Sequence, residues 1–236
     1  MVISILDSKE DVILSLCNLI ESTASESIEK NGVFNVAVSG GSLVSFLASG
    51  LPQIKSDFRK WKIFFCDERL VPVDNADNTF GQYKKQLVDT KEINLTEAQF
   101  VTAKQNTSGE EAAKDYEDQI KKFVPGTPLP QFDMLLLGMG PDGHTCSLFP
   151  GHTLLDEISK LVASISDSPK PPPNRITLTF PIINNARVCA FAICGQDKAD
   201  IIKRIHIDEE DLPAARVKPV GKVYWILDKA AGKYLV

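Results

Sequence analysis

The 236-residue chain alternates short, continuously apolar runs with longer stretches of helical spacing. The apolar, β-rich runs fall at Phe34–Val38, Trp61–Cys66, Phe132–Leu137, Leu161–Ile165, Ile176–Leu178, Val188–Cys194 and Val223–Leu227. Several are hydrophobic at every position, the pattern of parallel strands covered on both faces. Between them, Lys9–Thr23 sets Val12, Leu16, Leu19 and Ile20 on one stripe, and Gly109–Phe123 is rich in helix-favouring charged residues. Lys198–Ile205 reads as a further short helix, and Leu43-Val-Ser-Phe-Leu-Ala as the start of another. This alternation predicts an α/β fold, a doubly wound, mainly parallel sheet with helices on both faces. The Pro-rich segments Pro125–Pro130 and Pro169–Pro173 are short and lie between runs expected in the same sheet. They read as loops, so residues 1–236 are expected to form a single domain.

Charge narrows the partners. A net charge of −5 excludes the broad basic surface that nucleic acid requires. An anion could bind only at a local site of backbone N–H groups and a few Arg or Lys. The five cysteines are scattered and contain no C-x-x-C pair, which speaks against a disulfide framework or a zinc knuckle and for a reducing, cytoplasmic setting. Met1-Val-Ile-Ser-Ile-Leu runs directly into Asp7, Lys9, Glu10 and Asp11, unlike a signal peptide. No apolar run approaches the roughly 18–20 residues of a membrane span, so no membrane partner is expected.

Three of the apolar runs end in polar residues. Phe34–Val38 ends in Ser39-Gly40-Gly41-Ser42, where glycines let successive N–H groups converge on an anion at a helix start. No P-loop lysine follows, so a nucleoside triphosphate is not implied. Trp61–Cys66 ends in Asp67-Glu68-Arg69, three charges that are costly at a buried strand end unless paired or functional; an Asp–Arg ion pair is the plain structural reading. Phe132–Leu137 ends in Gly138-Met-Gly-Pro-Asp-Gly-His144. Together the three ends predict one pocket at the carboxyl edge of the sheet, taking a small anion such as a phosphate ester. His144 is the natural base, because an unperturbed imidazole titrates near pH 6.5. His152 and His206 lack such a setting, and His206 reads as a surface residue. A zinc site built on His144 and His152 has no clear third ligand.

Gly138-Met-Gly-Pro-Asp-Gly143 also fits the dinucleotide fingerprint G-x-G-x-x-G. A true fingerprint opens a long helix and is followed about 20 residues on by an acid at the next strand tip. Here Pro150-Gly151 cuts any helix short, and Leu161–Ile165 has no acid at its tip. NAD or FAD is therefore not expected.

Ser39-Gly-Gly-Ser42, Asp67-Glu-Arg-Leu-Val-Pro72, Gly138-Met-Gly-Pro-Asp-Gly-His-Thr-Cys-Ser-Leu-Phe-Pro-Gly151, Arg175-Ile-Thr-Leu-Thr179 and Gly195-Gln-Asp-Lys-Ala199 stand in this order. Together they closely resemble the 6-phosphogluconolactonases, whose superfamily also contains glucosamine-6-phosphate deaminase and has a Rossmann-like fold. The deaminases resemble Asp-Glu-Tyr at the second strand end and place a glutamate five residues after the loop histidine. This chain has Arg69 and Phe149 there, so the resemblance favours the lactonase. The segment Asp74-Asn75-Ala76-Asp77-Asn78-Thr79 departs from the commonest family pattern, and no substrate role is carried onto Asn75, Asn78 or Thr79. Cys146 stands where alanine is frequent.

The resemblance implies hydrolysis of 6-phospho-D-glucono-1,5-lactone to 6-phosphogluconate in the oxidative pentose phosphate pathway. His144 would take a proton from the attacking water and return it to the ring oxygen. Arg69 or the amides of Gly140–Gly143 would hold the oxyanion, and Asp142 or Asp67 would hold the imidazole or position substrate hydroxyls. By resemblance, Arg175 and Lys198 would be counter-charges for a phosphate resting on Ser39, Gly40, Gly41 and Ser42. A lactone is already activated toward water, so no metal or organic cofactor is expected. The other reading is a non-catalytic sugar-phosphate sensor that keeps the phosphate turn; retention of His144 beside Asp142 argues against it. A monomer is expected.

Overall fold

The computed structural model describes residues 1–236. Nine strands run β1 (Val2–Leu6), β2 (Phe34–Val38), β3 (Trp61–Phe65), β4 (Asp67–Arg69), β5 (Met134–Leu137), β6 (Val162–Ile165), β7 (Arg175–Leu178), β8 (Val188–Ile193) and β9 (Lys222–Asp228). Six α-helical segments lie among them: α1 (Lys9–Asn31), α2 (Ser42–Gly50), α3 (Thr79–Tyr83), α4 (Gly109–Phe123), α5 (Phe180–Ile183) and α6 (Ala199–His206). No helix is long and apolar enough to cross a membrane.

Six strands form an all-parallel sheet in the order β1-β9-β8-β5-β2-β3. Its strands are mostly apolar because each face has its own core. Along β2 and β5 the period-two alternation sends Val36, Val38, Met134 and Leu136 into one core with Leu16 and Ile20 of α1 and Phe46 of α2. Ala37, Leu135 and Leu137 enter the other core with Tyr116 and Ile120 of α4 and Ile202 of α6. The chain winds from β2 to β3, then crosses back to β5 and on to β8 and β9. The winding therefore reverses between β2 and β5, the crevice where doubly wound sheets bind ligands.

The fold differs from the expectation in three places. Leu161–Ile165 and Ile176–Leu178 were assigned to the main sheet, but β6 and β7 pair antiparallel with each other, and β4 pairs with β7, in a separate three-stranded sheet. Its apolar side, including Val162, Ile176 and Leu178, packs into the α4 core, which explains the apolar character of the two runs. The first helix runs eight residues beyond Thr23 to Asn31 because the small residues Ala24 and Ser27 continue its buried face, and Gly32 ends it in the left-handed conformation (φ 76°). Finally, β1 adds a parallel edge strand beside β9.

Two tyrosines pin the strand ends that matter for the site. The Tyr116 hydroxyl accepts from the Phe65 amide at 2.5 Å, where β3 turns into β4. The Tyr83 hydroxyl donates to the Ser39 carbonyl at 2.8 Å, fixing the turn after β2.

Candidate active site

Ser39–Ser42 follow β2, Asp67–Arg69 follow β3, the loop 138–144 follows β5, and Lys198 follows β8. In the sheet these four strands are consecutive, β8-β5-β2-β3, so their carboxyl ends share one edge. A cleft of about 220 Å³ lies there, lined by Ser39, Gly40, Gly41, Ser42, Asp67, Arg69, Gly138–Gly140, His144, Cys146, Arg175 and Lys198. Every site residue named from the sequence lines it except Asp142, which stands directly behind His144. Three cations and one carboxylate line the cleft of an acidic protein.

The glycine-rich loop forms no helix; Gly138–Gly151 is a series of turns, with a short 3₁₀ turn only at Thr153–Asp156. Its purpose is to present His144. The Gly140 amide donates to the His144 carbonyl at 2.9 Å, and the Gly143 amide donates to the Gly140 carbonyl at 3.0 Å. These two amides are thus spent inside the loop, which leaves Asp142 as the one other residue of Gly140–Gly143 with an amide N–H for the expected oxyanion role. A Cβ on residue 140 would sit 2.0 Å from His144 Nδ1 and 2.7 Å from Asp142 Oδ1. Gly140→Ala should therefore displace the ring and cost on the order of 10²-fold in kcat. Steady-state kinetics beside an unchanged circular-dichroism spectrum would show it.

Asp142, not Asp67, holds the imidazole. Its Oδ1 lies 2.5 Å from His144 Nδ1. This fixes the proton on Nδ1 and leaves the Nε2 lone pair, which meets no protein partner, in the cleft. Burial holds the His144 pKa below the usual imidazole value, against the opposing pull of Asp142, so the ring is neutral at neutral pH. The Phe149 ring packs on the imidazole with centroids 4.7 Å apart.

Asp67 instead joins a buried polar network and makes no pair with Arg69. It accepts from Ser147 Oγ at 2.8 Å and lies 3.9 Å from the Arg175 guanidinium. Arg175 sits directly across the small sheet from Arg69, a like-charge juxtaposition that costs energy unless the two side chains diverge. They do. Arg175 turns to the carbonyls of Lys170 (2.7 Å), Pro171 (3.2 Å) and Pro172 (2.9 Å) and to Ser147 Oγ (3.3 Å). Most of its donors therefore hold the Pro-rich strap, and little of this guanidinium is left for a phosphate. Arg69 turns the other way, donating to the Asp77 carbonyl at 2.8 Å, and its buried Nε has no partner. Glu68 closes the amino end of α3, accepting from Thr79 at 2.8 Å and Phe80 at 2.9 Å; burial raises its pKa.

On the other side of the cleft, Gly41 has φ 73° and opens α2, which has no side-chain cap and no acidic residue in its first turn. The amides of Gly40 and Gly41 donate to no protein acceptor, and the buried Ser39 hydroxyl has no partner. These donors suit a small oxyanion. Lys198 Nζ, anchored on the Met139 carbonyl at 3.2 Å, completes this end.

Sequence reasoning missed Lys170. Its Nζ lies 3.4 Å from Asp142 Oδ1 and 3.3 Å from His144 Nδ1. The only signal was a lysine in a Pro-rich loop. Asn78 is a cap, with Oδ1 accepting from Gly81 and Nδ2 donating to Val71. His152 caps the 3₁₀ turn through the Leu154 amide and meets Asp167 at 3.1 Å. His206 is not a surface residue: it is half-buried edge-on against Trp225, centroids 4.5 Å apart.

Comparison with known proteins agrees with this architecture. The family model described as glucosamine-6-phosphate isomerases/6-phosphogluconolactonase matches residues 7–225. A rat protein named 6-phosphogluconolactonase is 45% identical, over 99% of this chain and 93% of that one. A human protein of the same name is 44% identical with the same coverage. Among solved structures, 6-phosphogluconolactonase from Thermotoga maritima superimposes with a TM-score of 0.84 at 26% identity, covering 97% of this chain and 99% of that one.

Proposed function

The chain belongs to the glucosamine-6-phosphate isomerase/6-phosphogluconolactonase family, and from that premise we propose that it hydrolyses 6-phospho-D-glucono-1,5-lactone to 6-phospho-D-gluconate with His144 as general base. The observation that carries this reading is the His144–Asp142 pair at 2.5 Å, which leaves a neutral Nε2 facing a cationic cleft. Nε2 takes a proton from water as the water oxygen attacks the lactone carbonyl. The tetrahedral oxyanion is met by Arg69, whose Nε is the unspent donor nearby. The imidazolium, steadied by Asp142, then gives its proton to the ring oxygen as the C–O bond breaks. The base is regenerated in one cycle without a metal or cofactor.

The phosphate rests on the Gly40 and Gly41 amides and the amino end of α2, with Lys198 as its counter-charge. Removing a charged hydrogen-bond donor costs about 1.5–3 kcal/mol. Lys198→Ala should accordingly raise KM by about 10–100-fold while leaving kcat nearly unchanged. Equal KM values for variant and native enzyme would place the phosphate elsewhere.

The reading is tested by proton release from freshly prepared lactone, measured against spontaneous hydrolysis. A rate equal to buffer, with tight binding of 6-phosphogluconate, would make the protein a sensor. Ammonia release from glucosamine 6-phosphate would make it a deaminase, against Phe149 at the position of the deaminase acid.

A further inference from the structure

The strap that joins β6 to β7 is held more firmly than a connecting loop requires. Arg175 clamps three successive carbonyls, those of Lys170, Pro171 and Pro172. Ser168 Oγ donates to the Lys170 carbonyl at 2.8 Å and accepts from the Lys170 amide at 3.3 Å. The clamp is anchored in turn, because Arg175 and Asp67 share Ser147. The side chain so delivered ends at the histidine–aspartate pair, 3.4 Å from Asp142 Oδ1 and 3.3 Å from His144 Nδ1.

We propose that Lys170 is a positioning residue for the general base, its ammonium fixing Asp142 and keeping the His144 imidazole uncharged until it takes the proton of water. This inference rests on the lactonase reading for its catalytic meaning, but the geometry stands apart from it. An aspartate alone on Nδ1 would favour the imidazolium and so blunt the base. With Lys170 on the same Oδ1, the carboxylate still fixes the tautomer while its field is offset by an opposite charge. The same ammonium repels the imidazolium formed after attack and so favours passage of its proton to the leaving oxygen. The other charged groups around the ring are Asp67 in β4 and the cleft cations Arg69, Arg175 and Lys198; Phe149 supplies the apolar side. Burial and Lys170 both lower the His144 pKa, while Asp142 and Asp67 raise it.

The test uses Lys170→Gln, Lys170→Met and Lys170→Arg in the full chain. The Cε1 proton of His144 is followed by NMR across pH; with three histidines in the chain, His144→Ala assigns it. The pH profile of kcat/KM is recorded in parallel. In the Gln and Met variants the imidazole midpoint and the acid limb of activity should both move up by about one pH unit. Lys170→Arg should return both to the native position, and added salt should narrow the difference between Gln and native. A merely structural lysine would lower activity without moving the midpoint. Midpoints of both neutral variants coincident with the native one would overturn the proposal. Absence of lactone turnover in the native protein, with the NMR shift intact, would instead overturn the lactonase reading and leave the coupling standing.

Discussion

If His144 is the general base proposed above, His144→Ala should lower kcat by about 10²–10⁴-fold, the usual worth of a positioned general base, and leave KM within a few-fold of native. The split follows from the geometry. The proposed phosphate end of the cleft comprises Ser39–Ser42 and Lys198, none of which hydrogen-bonds to the imidazole. In the proposed mechanism the ring contributes only its Nε2 lone pair, which matters when water begins to lose its proton. Proton release corrected for spontaneous hydrolysis, over a range of lactone concentrations, measures both constants. A variant with native kcat would end the mechanism.

Arg69→Met is expected to lower kcat by about 10²–10³-fold, the range for loss of an oxyanion donor. Of the loop amides at Gly140–Gly143, those of Gly140 and Gly143 are used within their own loop. Arg175, the other arginine of the cleft, spends its donors on the strap and on Ser147. Arg69 retains a buried Nε with no partner, while its Nη1 donates to the Asp77 carbonyl. Because the interaction grows as the carbonyl becomes an alkoxide, kcat and kcat/KM should fall together. Arg69→Lys should rescue poorly, since a point ammonium cannot hold Asp77 and present a second N–H in the same plane. A large rise in KM with unchanged kcat would move Arg69 from the oxyanion to ground-state binding.

The parts of the fold that could be read in advance share a physical trait: their signal is local. Phe34–Val38 and Gly109–Phe123 are delimited to the residue, the first by a β-rich apolar run, the second by its helix-favouring charged residues. β1 was passed over because its partner β9 lies more than 200 residues away and its own residues are only half covered. β4 was hidden because Asp67-Glu68-Arg69 looks like a strand's end; only pairing with β7 makes it a strand. The orientation of β6 and β7 was equally illegible, since a run buried on both faces looks the same in either direction.

The site divides along similar lines. Residues on turns directly after main-sheet strands were found, because their strands are adjacent and their tips share an edge. Which aspartate serves the imidazole needed coordinates, as did the turning of Arg175 away from Arg69. Lys170 could not be found at all from periodicity or motif, because its meaning comes from a strap folding across 26 residues of sequence back onto His144.

Phe149 is almost wholly enclosed, with the imidazole on its face and the Arg175 guanidinium 5.7 Å from its centre. A phenyl ring is an insulator for protons. On this side of the imidazole the wall offers nothing exchangeable, so no second acid faces His144 from the Phe149 position. A closed-ring phosphosugar without an ester bond could dock on the same phosphate turn and depart unaltered. The pocket would then discriminate less by what it admits than by what its walls are able to do once the guest has arrived.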